Sequence, residues 1–413
     1  MEQNKKVPSI RFKGFENEWS LVKLGEISST FTDGDWIESK DQSFYGIRLV
    51  QTGNIGVNRF ISKENSSKWI SNETFNNLKC KEIFEGDILI SRLPEPAGRS
   101  TILPKLKTKA ITSVDCTVVR LKDEYINTFI NQFLSSQNYF KTVNNLLAGG
   151  TRQRISRSNL YQIDLFSPSK FEQTQIGDFF KTLDSQINAQ EQKHQKLINL
   201  KKAMLEKMFP KEGADVPEIR FKGFTEKWEE KKLGDVANII GGGTPSTSVK
   251  EYWNGDINWF SPTEIGNSIY AYDSNKKITK LGLEKSSAKI LPANKTILFT
   301  SRAGIGDMAI LKKEAATNQG FQSLVVNNNF DVYFIFSLGK SIKKKAIIKA
   351  SGSTFLEISG KTLGLLSFKF PSLEEQQKIG EYFKKLDNLI QQSQEQIKKY
   401  KNIKQALLQK MFV

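Results

Sequence analysis

Gly360-Lys361-Thr362 has the ending of a phosphate-binding loop, but that pattern needs a glycine five residues before Gly360. Phe355 stands there, so the backbone cradle for a nucleotide is missing. Gly241-Gly242-Gly243-Thr244-Pro245 could approach an anion, yet it lacks the G-x-G-x-x-G register behind a strand and reads as a turn. His194 is the single histidine and lies inside a long helical stretch, which removes Ser-His-Asp and Cys-His catalysis in their usual forms. Cys80 and Cys116 are too few for a disulfide framework or a thiolate zinc site. No Asn-Pro-Pro-aromatic run, the signature of enzymes that methylate the adenine amino group, occurs in the chain. Scattered acids leave magnesium coordination open by counting alone.

Basic and polar clusters are what remain. Asp87-Ile88-Leu89-Ile90-Ser91-Arg92 leads into Ala97-Gly98-Arg99, and Thr296-Ile297-Leu298-Phe299-Thr300-Ser301-Arg302 leads into Ala303-Gly304. A strand followed by Ser-Arg and a glycine turn carries a guanidinium on a rigid edge. There it can fork onto guanine O6 and N7 or onto a phosphate. The alternative is a structural arginine on a carboxylate or on loop carbonyls. Arg152, Arg154 and Arg157 form a second cluster, with no basic counterparts in the aligned stretch Gly352 to Gly360. Lys343, Lys344 and Lys345 form a third, which is otherwise a solvated helix face. The net charge of +17 points to a polyanionic partner, DNA or RNA being the usual one. A generic lysine-rich surface that serves solubility is the competing explanation.

The elements that carry these side chains come in two copies. Val7-Pro8-Ser9-Ile10-Arg11-Phe12-Lys13-Gly14-Phe15 recurs 209 residues later as Val216-Pro217-Glu218-Ile219-Arg220-Phe221-Lys222-Gly223-Phe224. Gln173, Ile176, Gly177, Phe180, Leu183, Asp184 and Ile187 recur 203 residues later as Gln376, Ile379, Gly380, Phe383, Leu386, Asp387 and Ile390. Each copy ends in a stripe of apolar residues at helical spacing, from Ile176 to Met204 and from Ile379 to Met411. Such helices run about 35–40 residues, or roughly 55 Å. Ser169-Lys170-Phe171-Glu172 and Ser372-Leu373-Glu374-Glu375 fit the capping box that starts a helix. A stripe that long needs a partner, and the other copy's helix supplies one in an antiparallel coiled pair. Polar interruptions at Gln190, Lys193 and His194, and at Ser393 and Gln396, either fix register or mark a splayed, solvated face. The middles, about residues 20–165 and 229–370, mix short strands, short helices and glycine turns, and they diverge from one another. A shared frame around unlike middles suggests one scaffold presenting two different readers.

A chain of 413 residues with 38% hydrophobic and 11% aromatic content supports two or three cored domains. No stretch reaches the roughly 18 apolar residues of a membrane span. The opening Met1-Glu2-Gln3-Asn4-Lys5-Lys6 lacks the apolar core of a signal peptide, and a cytoplasmic protein is expected.

Together these features resemble the specificity (S) subunits of type I restriction–modification systems, across essentially the whole chain. The openings around Phe15-Glu16-Asn17-Glu18-Trp19-Ser20 and Phe224-Thr225-Glu226-Lys227-Trp228 carry the likeness. So do Gly242-Gly243-Thr244-Pro245-Ser246, Ile257-Asn258-Trp259, Thr317-Asn318-Gln319-Gly320-Phe321 and Leu373-Glu374-Glu375-Gln376-Gln377-Lys378-Ile379. Phe171-Glu172-Gln173-Thr174-Gln175-Ile176 departs from the paired Glu-Gln of the family's spacer helix. The resemblance implies an α+β protein with a pseudo-two-fold internal repeat. Target-recognition domains would span residues 1–170 and 213–372. Spacer helices over 171–212 and 373–413 would form an intramolecular antiparallel coiled coil. It implies a non-catalytic subunit that recognises a bipartite, asymmetric DNA target. Two modification subunits would bring S-adenosylmethionine and methylate adenine N6, and restriction subunits would bring ATP and Mg. The helix pair would set the unspecified gap at about one helical turn between half-site centres. Arg92, Arg99, Arg152, Arg154, Arg157, Arg302 and Lys343 to Lys345 are the expected DNA contacts. A coiled-coil scaffold without sequence-specific DNA binding is the rival from another class, and a self-sufficient nuclease–methylase is a third.

Overall fold

The computed structural model describes residues 7–150, 153–302, 304–352 and 356–413. Two helices, α1 (Lys170–Lys207, 38 residues) and α2 (Leu373–Met411, 39 residues), account for the apolar stripes of the sequence. The chain folds as two compact units. Residues 1–192 with 395–413 make the first, and residues 193–394 the second. Each long helix therefore begins in one unit and ends in the other.

The first unit is built on a four-stranded antiparallel sheet of β1 (Ser28–Asp33), β2 (Ile88–Ser91), β3 (Ser100–Ile102) and β4 (Cys116–Leu121), in the order β1-β4-β2-β3. β2 is buried along its whole length, as its continuous apolar run Ile88-Leu89-Ile90 requires. A second four-stranded sheet holds Gln42–Ser43, Lys68–Ile70, Ile47–Val50 and Ala110–Thr112. Ser20–Lys23 pairs with Asp164–Ser167 just ahead of α1. The second unit repeats the plan with β5 (Ala237–Gly241), β6 (Thr296–Phe299), β7 (Met308–Leu311) and β8 (Gln322–Val326), in the order β5-β8-β6-β7. Its extra edge strand is Tyr270–Ala271, parallel to β7.

Within each unit the two helix segments run antiparallel. In the first, Lys404 meets Asp184 and Lys401 meets Glu191, both at 2.5 Å, and Gln190 Nε2 donates to Gln396 Oε1 at 2.7 Å. Gln190 and Gln396, two of the polar interruptions, thus meet across the seam. The end of α2 closes that core. Phe412 stacks on Phe129 at 5.1 Å and meets Trp19 edge-on at 6.4 Å. In the second unit Phe209, just past α1, packs on Phe334, Phe383 and Trp228 at 5.3, 6.0 and 6.1 Å.

The capping boxes form only by half. Ser169 Oγ accepts from Glu172 N and Ser372 Oγ from Glu375 N, both at 3.4 Å. The carboxylates do not close the box. Arg11 takes Glu172 through two bonds of 2.7 and 2.8 Å, and Arg220 takes Glu375 at the same two distances. Both carboxylates are buried, and a buried carboxylate gains more from a guanidinium fork than from one backbone N–H. The repeated openings therefore pin the helix starts. Gly177 and Gly380 let a short helix butt against each long one. A Cβ there would fall on the Thr128 hydroxyl or on the Asp331 carboxylate. Among the described residues no helix is long and apolar enough to cross a membrane.

Candidate nucleic-acid interface

In both units the central sheet strand, β2 or β6, ends at a rim built from the strand end, the turn before β4 or β8, and the loop ahead of a short helix. Backbone bonds fix which residues correspond. Ser91 pairs with Cys116, and Thr300 bridges Phe321. Arg92 N donates to Asp115 O at 2.9 Å, and Ser301 N to Gly320 O at 2.8 Å. Ile155 N donates to Arg92 O at 3.2 Å, and Ile358 N to Ser301 O at 3.0 Å. Arg92 therefore corresponds to Ser301, and Arg302 to Leu93. Matching Ser91-Arg92 to Ser301-Arg302 by sequence is one residue out of register. Successive side chains on an extended backbone face different ways, and the two arginines differ accordingly. Arg92 is 7% exposed, whereas Arg302 stands half-buried at an open cleft.

Each guanidinium still reaches the same turn carbonyl. Arg92 Nη2 donates to Val114 O at 2.7 Å and Arg302 Nη2 to Gln319 O at 2.9 Å. In the first unit the structure gathers three of the expected arginines around two carboxylates. Arg92 lies 3.5 Å from Asp33 and 3.9 Å from Asp115, Arg154 lies 3.8 Å from Asp115, and Arg157 lies 3.8 Å from Asp33. Asp33 is itself held by Thr117 Oγ1 at 2.9 Å. Arg154 and Arg157 are exposed, and pairs this long at a surface contribute about 1 kcal/mol or less. They are loosely parked and open to exchange with a phosphate or a base edge. Arg152 lies outside the described residues.

Arg99 is placed differently. Its guanidinium donates to the carbonyls of Ile55 (2.7 Å), Leu93 (2.7 Å), Pro96 (3.0 Å) and Thr52 (3.0 Å). Its donors are spent inside the fold, and burial lowers its pKa. The lysine run also divides. Lys343 pairs with Asp307 at 2.8 Å, and Lys345 donates to Ser367 O at 2.6 Å above the Phe368 ring. Lys344 is exposed and lines a separate groove with Lys202, Lys211 and Lys340.

The second unit's rim opens into a cleft of about 400 Å³ lined by Pro262, Thr263, Arg302, Asp307, Asn318 and Gln319. Glu357 occupies the place of Arg154, since Ser351 bridges Glu357 as Ala148 bridges Arg154. Its carboxylate lies 3.5 Å from Arg302 Nε. The triple glycine serves close packing, because a Cβ on Gly242 would strike the Thr317 and Asn318 carbonyls. Gly360-Lys361-Thr362 opens a five-residue helix capped by Ser359. No cluster of three or more potential metal ligands occurs among the described residues. Sequence alone missed Asp33, Asp115 and Gln319. Gln319 lies in the Thr317-Asn318-Gln319-Gly320-Phe321 motif already noted, but strand pairing is what brings it, Asp33 and Asp115 to the rims.

A family model described as the type I restriction modification DNA specificity domain matches residues 16–199 and again 225–399. The MjaIX type I restriction enzyme specificity subunit of Methanocaldococcus jannaschii is 37% identical over 190 residues, 45% of this chain and 44% of that protein. The chain thus spans less than half of that relative. The EcoR124I/EcoR124II specificity subunit of Escherichia coli is 28% identical over 300 residues, 68% of this chain and 67% of that protein. In fold, the chain is similar to the crystal structure of a type I restriction–modification S subunit from M. genitalium. The TM-score is 0.65 at 17% identity, over 98% of this chain and 99% of that one. With two copies of the domain covering most of its length, the chain belongs to the type I restriction–modification DNA specificity family.

Proposed function

We propose that the chain reads a bipartite, asymmetric DNA target. Residues 1–170 would take one half-site and residues 213–372 the other. The observation that carries this is the exchange of side chains within one backbone frame. Arg92, Leu93, Val114 and Arg154 of the first rim stand where Ser301, Arg302, Gln319 and Glu357 stand in the second. A shared set of backbone hydrogen bonds carrying different hydrogen-bonding edges is what two different base sequences require in the major groove, where all four base pairs differ. Arg154, Arg157 and Arg302 are the expected DNA contacts at the rims, with Lys344 an exposed cation outside them. Arg92 and Arg99 support the first rim and Lys343 the second.

The chemistry belongs to partner subunits in this proposal. Two modification subunits bring S-adenosylmethionine and methylate adenine N6, and restriction subunits bring ATP and Mg for translocation and cutting. The spacer segments, residues 171–212 and 373–413, which contain the long helices α1 and α2, hold those partners and set the unread gap in the target. The test is to exchange residues 20–165 for the first middle of another family member and to map methylation in the host. One half of the split target changes and the other stays. A simultaneous change in both halves would exclude independent rims.

A further inference from the structure

We infer that Gln319, held by Thr244, is the residue through which the second unit selects an adenine in its half-site. This rests on the two-rim proposal and assigns one of its contacts. Gln319 is exposed on the turn Thr317–Gly320, whose backbone is hydrogen-bonded on both sides of it. Asn318 N donates to Phe260 O at 3.0 Å, Gly320 N to Asn318 Oδ1 at 2.8 Å, and Ser301 N to Gly320 O at 2.8 Å. The Gln319 carbonyl takes Arg302 Nη2. Its side chain is aimed as well, because the Thr244 hydroxyl donates to Gln319 Oε1. Thr244 follows Gly243, whose N–H donates to Thr317 O at 2.8 Å, so the two turns are clamped together.

This arrangement leaves a defined hydrogen-bonding edge. Gln319 Nε2 has no partner among the described residues, and Oε1 keeps a second lone pair beyond the one Thr244 uses. A glutamine amide that offers one acceptor and one donor side by side matches the N6–H and N7 of adenine in the major groove. The first unit cannot use the same chemistry. Val114 stands at the place of Gln319, and Trp36, 71% exposed, at that of Thr244. Arg302 is tied to the Gln319 carbonyl, so the amide and the guanidinium are held as one reading element.

The full-length chain, mixed with a library of duplexes randomised across both half-sites, provides the test. The wild type is expected to select adenine at one position of the second half-site. Gln319→Ala is expected to reduce that selection about tenfold or more, with every other position and the melting temperature unchanged. Gln319→Arg is expected to shift the same position toward guanine, and Thr244→Val to weaken it. If Gln319→Ala keeps the adenine preference, or loses selection everywhere while melting early, the assignment is overturned and the two-rim proposal stands. A wild-type chain that selects no base in the second half-site overturns both.

Discussion

Lys404 Nζ lies 2.5 Å from Asp184 Oδ1, and the pair repeats 203 residues away as Lys201 with Asp387. Each lysine comes from the late part of one long helix and each aspartate from the early part of the other. Asp184 also accepts from Asn58 Nδ2 at 2.6 Å and Gln132 Nε2 at 2.7 Å, both from the globule. Asp387 accepts from Tyr333 Oη at 2.8 Å, and burial, with Asp387 beside it, pushes the Tyr333 phenol far up so that it stays a donor. One carboxylate per unit thus ties a globule to both helix segments.

Removing that carboxylate strands several donors at once. Asp184→Ala leaves Lys404 and the buried Gln132 without their acceptor. The expected loss is roughly 2–3 kcal/mol, between an exposed and a fully buried pair. Lys401→Ala breaks a more exposed pair with Glu191 and should lose less than about 1 kcal/mol. Urea unfolding of the two variants checks the order. Equal losses would mean that Asp184 behaves as a surface residue.

The end of α2 should matter out of proportion to its position. Phe412 is 5% exposed and touches four aromatic rings, those of Trp19, Phe129, Phe133 and Phe180. Phe412→Ala should lose about 3–5 kcal/mol through the cavity it leaves. Hydrogen exchange is expected to rise in β2 and β4 of the first unit and to stay unchanged in β6 and β8. Faster exchange in both units, or in neither, would show that the ring does not anchor the first core.

Much of this frame was legible in the sequence. The stripes from Ile176 and Ile379, the repeated openings and the divergent middles each have a physical signature in residue spacing. The exchange of partners was not. Nothing in Ser169-Lys170-Phe171-Glu172 reveals that Arg11, 161 residues earlier, takes the carboxylate that a capping box would use. The rim was harder still. Ser91-Arg92 and Ser301-Arg302 match as strings, but strand pairing at Cys116 and Phe321 sets their register and moves Arg302 one position on. Local pattern specifies elements; which side chains meet depends on long-range pairing.

Arg99 and Arg157 should separate support from contact. Arg99→Ala removes four hydrogen bonds and leaves the Ile55 and Pro96 carbonyls without another donor among the described residues, which should lose about 2–3 kcal/mol. Arg157→Ala breaks only a 3.8 Å pair with Asp33 and should change stability by less than about 1 kcal/mol. If Arg157 meets a phosphate, its loss should lower the slope of log K against log salt by about one. Filter binding across a salt series measures the slope. An unchanged slope and affinity would remove Arg157 from the interface.

Arg92 and Arg302 give the sharper contrast, because their sequences look alike and their places differ. Arg92 is buried, donates to Val114 O and stands among Asp33 and Asp115. Arg92→Ala should melt early and lose specific and non-specific DNA binding together, since the Val114 turn loses its donor and Asp33 and Asp115 lose the one buried cation between them. Arg302 faces the second cleft and keeps part of its guanidinium free of internal bonds. Arg302→Ala should retain the fold and lose roughly 1–3 kcal/mol for the specific duplex if it forks onto guanine. Its non-specific binding should change less. Paired melting and binding measurements on the two variants decide it. An Arg302→Ala chain that melts as early as Arg92→Ala would make both arginines struts, and the second rim would then have to read through its turn residues alone.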